Sequence, residues 1–170
     1  MLRLITPSLR VESVLELGLD RLGAMDLDAL LLDVDCTLKN YLADEVTPEV
    51  AAWLGQLRSG GVGLCLVSNG AGGRIRSFAE KLDLPFVAKA CKPFPFGTRA
   101  AVRKMGFVPA RTAIVGDQLF ADVMAGRLAG IRSILVRPIH PEEEPWFTRL
   151  KRPLERCLLH RMESDDGTAR

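Results

Sequence analysis

Short, continuous apolar runs recur along the chain, and each of them ends abruptly in polar residues. The runs lie at 28–34, 62–67, 85–88, 112–115 and 133–136. A strand that is buried on both faces of a sheet is apolar at nearly every position, whereas a half-exposed strand alternates apolar and polar residues. The runs therefore predict five buried strands.

Between these runs, apolar residues recur at helical spacing. The segments with this spacing are 48–59, 72–82, 96–106 and 119–129. In the first of them, Thr47 is suited to cap the amino end and Pro48 to occupy the first turn, while Gly60 ends the helix. Strands that alternate with helices of this length predict right-handed crossovers and a parallel sheet with helices on both faces.

Polar residues that could take part in catalysis or ligand binding follow four of the predicted strands. They are Asp33, Asp35, Ser68, Asn69, Lys92 and Asp117. The carboxyl ends of parallel strands share one edge of the sheet, which is where open α/β folds bind their ligands. We therefore expect these side chains to converge, although they are far apart in sequence.

This set of groups fits phosphate chemistry. Carboxylate and carbonyl oxygens are the ligands that Mg²⁺ prefers, and an ammonium and a hydroxyl suit the oxygens of a phosphoryl group. Phosphoryl transfer depends mainly on positioning and on neutralising charge. An aspartate such as Asp33 can attack phosphorus itself, and a second carboxylate such as Asp35 can act as general acid and base. The pattern predicts a Mg²⁺-dependent enzyme that acts on phosphate esters.

Composition narrows the class of protein. The 170 residues, 48% of them hydrophobic and 26% charged, fit one globular domain. A net charge of only +2 gives no reason to expect nucleic acid as a partner. The four cysteines show neither CxxC spacing nor a nearby histidine cluster, which indicates reduced thiols in a cytoplasmic protein. We expect neither a membrane span nor a signal peptide.

The regions outside the strand-helix pattern suggest a simple organisation. We expect a helical lead-in over 1–27, the α/β domain over 28–145, a basic amphipathic segment over 146–162 and a flexible polar tail over 163–170. The segment 146–162 mixes aromatic and aliphatic residues with arginines and lysines. It fits either a helix packed on the domain with a solvated basic face or peripheral contact with an anionic membrane.

The polar strand ends also resemble a known family. The sequences DVDCTL, VSN, Lys92-Pro93 and GDQLFAD resemble the four ordered motifs of the haloacid dehalogenase (HAD) superfamily of phosphatases. The flanking sequences LITPSL and RPIHPEEEPWFTRLKRPLER resemble the YqeG-type branch, subfamily IIIA, which is related to mitochondrial phosphatidylglycerophosphate phosphatases. The resemblance implies a doubly wound, Rossmann-like and mainly parallel sheet of five strands in the order 3-2-1-4-5.

The resemblance also implies a role for each motif residue. Asp33 would be the nucleophile, and Asp35 would be the general acid and base and give its backbone carbonyl to the metal. The residues that would bind the substrate phosphate are Thr37, Ser68, Asn69 and Lys92. Asp117 would bind Mg²⁺ together with Asp33, and Asp122 would do so directly or through water. The sequence departs from related proteins at Cys36 and in the glycine-rich stretch GAGG that follows Asn69.

The spacing between motifs bears on the substrate. Residues 38–47 leave room for only a small flap, and 70–91 for one helix and one strand, so we expect no cap domain and an open site. An open site suits a large substrate. The resemblance favours phosphatidylglycerophosphate, whose head group would be reached at a membrane by a cytoplasmic, peripheral enzyme. The alternative is a soluble nucleotide, sugar or protein phosphate.

Two non-enzymatic functions are alternatives to this one. A signalling receiver also carries an acidic pair after its first strand, but it places its phosphoacceptor after the third strand and its lysine after the fifth. Here the third strand leads to Lys92 and the fourth to Asp117, which argues against a receiver.

A catalytically silent HAD-like module is disfavoured because the motif residues are intact. Steady phosphate release would separate the enzyme from both. The oligomeric state is left open.

Overall fold

The computed structural model describes residues 4–167, with side chains for 4–146 and 148–162. At its centre lies a parallel sheet of six strands. They are β1 (Leu9–Val11), β2 (Ala29–Leu32), β3 (Gly63–Val67), β4 (Phe86–Val87), β5 (Thr112–Gly116) and β6 (Arg132–Val136). Their order across the sheet is β1-β6-β5-β2-β3-β4, and every neighbouring pair is parallel.

The prediction of a five-stranded sheet was wrong by one strand. The five predicted strands are β2 to β6, and their relative order agrees with 3-2-1-4-5. The additional strand, β1, lies in the predicted helical lead-in and pairs with the edge strand β6, so that Leu9 is opposite Ile134 and Val11 opposite Val136. Only Val11 of β1 is buried, so this strand has no apolar run that would reveal it.

Helices connect the strands. They are α1 (Leu19–Ala24), α2 (Pro48–Ser59), α3 (Gly72–Leu82), α4 (Phe96–Met105), α5 (Met124–Ala129), α6 (Trp146–Arg149) and α7 (Arg152–Gly167). The predicted helix over 119–129 is α5 preceded by a π-helical turn over Leu119–Val123. In α2 the Thr47 hydroxyl accepts the Val50 N–H at 3.4 Å, which is the expected cap.

The sheet is buried between two layers of helices. Leu30 and Leu32 of β2 belong to the larger apolar cluster, which includes residues of α2 and α3. Leu31 faces the other way and belongs to a second cluster with Ala101 and Val102 of α4. Because both faces are covered, the strands are continuously apolar, and the polar residues are confined to the ends of the strands.

The C-terminal segment is split between α6 and α7, and Pro153 lies in the first turn of α7, where a proline is tolerated. Leu158 and Leu159 pack on the apolar cluster beside β6. The backbone of α7 continues through Gly167. Side chains of the predicted tail 163–170 lie outside the described residues. Among the helices described, none is long and apolar enough to cross a membrane.

Candidate active site

The loop after β2 places the first group of polar side chains. The Asp33 N–H continues the sheet by donating to the Val115 carbonyl at 2.9 Å. The chain then turns, and the Leu38 N–H donates to the Val34 carbonyl at 3.0 Å. This turn brings the Thr37 hydroxyl to 3.2 Å from Asp33 Oδ2 and to 3.2 Å from Asp117 Oδ1. Thr37 therefore links the carboxylates at the ends of β2 and β5.

Lys92 lies between two buried carboxylates. Its Nζ is 2.5 Å from Asp33 Oδ1 and 2.6 Å from Asp122 Oδ1. Although burial favours the neutral amine, the negative charges of Asp122 and Asp33 raise the pKa of Lys92 above its ordinary value. The ammonium is therefore fixed in its charged form beside the side chain predicted to attack phosphorus.

The second motif positions the loop that carries Lys92. The Asn69 side chain donates to the Lys92 carbonyl at 2.9 Å and accepts the Lys92 N–H at 2.8 Å. The buried Ser68 hydroxyl accepts the Gly70 N–H at 3.0 Å. Both side chains thus hold backbone at the carboxyl edge. The Asn69 amide, predicted to bind phosphate, is occupied by the main chain of Lys92.

Asp122 is held from two sides. Its Oδ2 accepts the Gln118 N–H at 3.1 Å, while its Oδ1 receives Lys92. A Cβ atom at Gly116 would lie only 2.1 Å from Asp122 Cγ, so the end of β5 accepts no side chain there. The glycine before Asp117 is therefore required by the close approach of the π-helical turn.

Three carboxylates form a group that is suited to a metal ion. Asp33, Asp117 and Asp122 are buried, and each offers an oxygen within 4.8 Å of the others. Burial raises the pKa of Asp33 to about 6 although the Lys92 charge opposes it. Burial also raises the pKa of Asp117 well above its ordinary value, against the charge of Arg152. Lys92 and Arg152 offset part of this negative charge, and the buried set of oxygen ligands fits a hard divalent cation.

The Asp35 side chain does not belong to that group. Lys39 Nζ lies 3.0 Å from Asp35 Oδ1, and Arg74 donates to both oxygens at 2.8 and 2.5 Å. Although burial opposes ionisation, the hydrogen bonds from Arg74 and Lys39 hold the pKa of Asp35 below its ordinary value. The carboxylate at the mouth of the site is therefore ionised and doubly paired.

Arg152 of α7 is a component of the site that the sequence analysis did not identify. Its Nη1 donates to the Asp117 carbonyl at 2.8 Å, and its Nη2 donates to the Asp117 carboxylate. The same guanidinium bonds both oxygens of Glu144 at 2.9 and 2.6 Å, and lies 3.4 Å from Glu155. Glu155 in turn accepts the Phe120 N–H at 3.1 Å.

The helical spacing along α7 is the one signal in the sequence that bears on this arginine. Arg152, Glu155, Leu159 and Met162 are spaced i, i+3, i+7 and i+10, and all of them are buried or half-buried. Arg152 therefore lies on the packed face of α7 and not on its basic solvated face. The sequence analysis also did not identify Lys39 and Arg74. Neither belongs to a motif, and each takes its role from an ion pair with Asp35 that the folded chain creates.

The chain is similar to several known phosphatases. A family model described as HAD-hydrolase-like matches residues 90–138. The probable phosphatase YqeG of Bacillus subtilis is 30% identical over 149 residues, which are 88% of this chain and 86% of that protein. Phosphoserine phosphatase of Thermus thermophilus is 33% identical over 111 residues, covering 58% of this chain and 45% of that protein.

A plant lipid phosphatase and a solved structure add to this picture. Phosphatidylglycerophosphate phosphatase 1 of Arabidopsis thaliana is 37% identical over 68 residues, 39% of this chain but only 20% of that protein. A HAD family hydrolase of Deinococcus radiodurans, solved with phosphate and sodium, superimposes with a TM-score of 0.55 at 17% identity, covering 69% of this chain and 83% of that one. At that identity the structural likeness shows the fold alone.

Proposed function

This chain belongs to the YqeG family of HAD-type phosphatases, and from that premise we propose that it hydrolyses phosphomonoesters with Mg²⁺ through an aspartyl-phosphate at Asp33. The observation that carries the proposal is the position of Lys92. One buried ammonium lies within 2.6 Å of oxygens of both Asp33 and Asp122. A nucleophile must approach an anionic phosphoryl group, and this arrangement reduces the repulsion between them.

The chemical steps follow from the side chains at the edge of the sheet. An Asp33 oxygen attacks phosphorus while the bond to the ester oxygen breaks. Asp35, which is ionised in the resting site and first takes a proton from solvent, gives that proton to the departing alcohol. Asp35 then takes a proton from water as the water oxygen attacks the aspartyl-phosphate. This second attack breaks the bond to Asp33 and releases inorganic phosphate. Ser68 and the backbone near Asn69 hold the phosphoryl oxygens, and Thr37 keeps Asp33 and Asp117 in place.

The metal site is proposed on the buried carboxylates. Asp33 and Asp117 would bind Mg²⁺ with their side chains, Asp35 with its backbone carbonyl, and Asp122 directly or through water. The bound cation would neutralise charge on the phosphoryl group and on its carboxylate ligands. This assignment is supported by the oxygen-only donor set and by the excess of buried negative charge.

Removal of the metal should stop the reaction. EDTA is expected to abolish phosphate release from p-nitrophenyl phosphate, and excess Mg²⁺ to restore it. Since binding to the folded state alone stabilises it, Mg²⁺ should also raise the melting temperature of the wild type. The same rise is expected in the control Asp28→Asn, at a carboxylate outside the site that pairs with Arg111 at 3.3 Å, but not in Asp117→Asn. Turnover that is insensitive to EDTA, or an equal Mg²⁺ shift in Asp117→Asn, would refute the metal assignment.

We favour phosphatidylglycerophosphate as the substrate. We also propose that no cap domain covers the site. The Arabidopsis relative supports a phospholipid head group. A groove beside the site also supports it, because its lining includes Asp117 and Arg152 together with the apolar Trp146 and Leu150. Such a groove would let apolar parts of a lipid leave the site along the C-terminal helices. The Thermus relative favours a second candidate, a soluble phosphate ester such as an amino-acid phosphate.

Peripheral membrane contact is proposed through 146–162. The apolar stripe considered for this contact consists of Trp146, Leu150 and Leu154, spaced i, i+4 and i+8 along the chain, and these residues are 75%, 72% and 56% exposed. The exposed cations next to this stripe are Arg149, Lys151 and Arg156. Exposed aromatic and aliphatic side chains beside cations suit an anionic lipid surface.

Loss of the stripe should weaken vesicle binding. We expect the double variant Trp146→Ser/Leu150→Ser to reduce co-sedimentation with phosphatidylglycerol vesicles by about tenfold or more, because two large apolar side chains no longer enter the lipid. The matched control is Leu19→Ser/Val108→Ser, which removes exposed apolar side chains near the amino ends of β3 and β5. Equal binding by the two double variants, or no binding by the wild type, would exclude membrane contact through the stripe.

A further inference from the structure

We propose that Arg74 is a specificity-determining residue that binds a second anionic group on the substrate. The preferred substrates would then be phosphomonoesters of alcohols that also carry a carboxylate or a phosphodiester near the ester oxygen. This inference rests on the proposed function, since it assigns the substrate class of the same site.

The guanidinium of Arg74 lies at the mouth of the site. Arg74 belongs to the first turn of α3 and reaches both oxygens of Asp35 at 2.8 and 2.5 Å. Its side chain is 42% exposed, whereas that of Asp35 is 18% exposed. The planar fork of arginine matches carboxylate and phosphate oxygens two at a time. Arg74 is therefore a preformed anion-binding group that solvent, and hence a substrate, can reach.

Asp35 has two cationic partners, and they are held very differently. Lys39 is 3% exposed, and its ammonium also donates to the Asn40 and Tyr41 carbonyls at 3.0 and 3.3 Å. Within the described part of the chain, Arg74 makes no such hydrogen bond to backbone, and its 42% exposed side chain is less firmly held than the buried Lys39 ammonium. Arg74 can therefore leave Asp35 for another anion while Lys39 keeps the carboxylate paired.

The glycine-rich loop makes room for this arginine. A Cβ atom at Gly70 would lie 2.6 Å from Arg74 Nη2 and 2.9 Å from Ile75 Cδ1. On the flap, the Tyr41 ring lies with its centroid 6.0 Å from the Arg74 guanidinium carbon. Gly70 thus leaves space for Arg74 to pass across the loop to Asp35.

The position of Arg74 indicates which part of the substrate it would contact. Lys92 and the proposed metal serve the phosphoryl group, whereas Asp35 would contact the ester oxygen of the departing alcohol. An anion bound at Arg74 would therefore belong to that alcohol, a few bonds beyond the ester oxygen. A free carboxylate on an amino-acid phosphate and the phosphodiester of a phospholipid head group both meet this condition.

Two matched pairs of esters test the inference. In the first, O-phosphoserine differs from phosphoethanolamine by a carboxylate; in the second, glycerophosphoglycerol phosphate differs from glycerol 3-phosphate by a phosphodiester. For each pair, the ratio of kcat/KM values is measured in wild type, Arg74→Ala, Arg74→Lys and Arg76→Ala. Arg76 is the control, since it lies on the same helix with its guanidinium over the Phe86 ring at 5.9 Å.

We expect the wild type to prefer the anion-bearing ester in at least one pair by about 10- to 100-fold, the effect of one charged hydrogen-bonding contact. Arg74→Ala should bring that ratio close to one, because the contact with the second anionic group is lost. This expectation holds even if the substitution also lowers kcat/KM for both esters of the pair. Arg74→Lys should keep part of the ratio, and Arg76→Ala all of it. Preference in the phosphodiester pair alone would indicate a lipid head group, and preference in the carboxylate pair alone a soluble metabolite.

Calorimetry separates this inference from the proposed reaction. Dissociation constants of the same four esters are measured in the Asp33→Asn background with Mg²⁺, with and without Arg74→Ala. A binding preference that depends on Arg74, without phosphate release by the wild type, would refute the reaction and retain the specificity role. The role of Arg74 is overturned if neither pair shows a preference, if no ester binds, or if Arg74→Ala keeps the preference.

Discussion

Asp33→Asn is expected to lower phosphate release by at least about four orders of magnitude, the usual scale for loss of a catalytic nucleophile. Asparagine keeps the size of the side chain, but an amide does not displace the ester oxygen from phosphorus. It also lacks the negative charge that Lys92 pairs with at 2.5 Å. The assay is release of inorganic phosphate from p-nitrophenyl phosphate at saturating substrate and Mg²⁺.

The control for this variant lies at the other end of the same strand. Asp28 precedes β2 and pairs with Arg111 at 3.3 Å near the surface, so Asp28→Asn makes the same chemical change without touching the site. It should retain turnover close to that of the wild type. If Asp33→Asn, freshly purified from contaminating phosphatase, kept a tenth of the wild-type turnover, Asp33 would not be the nucleophile.

Arg152→Met should reduce the free energy of unfolding by about 3–5 kcal/mol, which is the range observed when one member of a buried ionic network is removed. The variant leaves Asp117, Glu144 and Glu155 without their shared cation in a buried position. Methionine keeps much of the aliphatic volume, so the loss comes mainly from the charge. Urea denaturation of the full chain measures it.

Arg149→Met is the matched control for Arg152→Met. Arg149 is exposed on α6, and replacing a surface residue of this kind changes stability by about 0.5 kcal/mol or less. Equal midpoints and slopes for the two variants would show that the Arg152 network does not hold α7 to the site. A selective loss in Arg152→Met would show that the ionic network joining α7 to Asp117 stabilises the fold.

The repetitive features of the fold were predictable because they reflect burial. Strands β2 to β6 are apolar on both faces, and α2, α3 and α4 carry one apolar face each, so periodicity alone identifies them. The convergence of Asp33, Lys92 and Asp117 followed from parallel strands sharing one edge. These inferences require only the alternation of strands and helices, which is a local property of the sequence.

What the sequence could not reveal depends on long-range contacts. Strand β1 exists because β6 offers an edge, and its three residues carry too little pattern to indicate it. Arg152 and Arg74 acquire their roles from carboxylates 35 and 39 residues away. Lys39 is the exception, since it pairs with Asp35 only four residues away, in the turn that follows β2. In sequence, a buried arginine and a solvated one look alike unless the phase of the helix is known.

The same limit applies to the side chain of Asn69. Its motif suggests a phosphate contact, yet its amide is bonded twice to the main chain of Lys92. A motif reports which residue types occur together, whereas the role of each residue depends on the distances between their atoms. The structure therefore adds positioning roles to a set of residues whose chemical types were already evident.

Trapping the covalent intermediate tests the central proposal most directly. Wild-type enzyme with Mg²⁺ and substrate is quenched in acid during steady turnover, reduced with borohydride, digested and analysed by mass spectrometry. Because borohydride converts an aspartyl-phosphate to homoserine, we predict homoserine at position 33 in the wild type and none in Asp33→Asn. Steady phosphate release with aspartate unmodified at position 33, or modification at another carboxylate, would contradict the proposal.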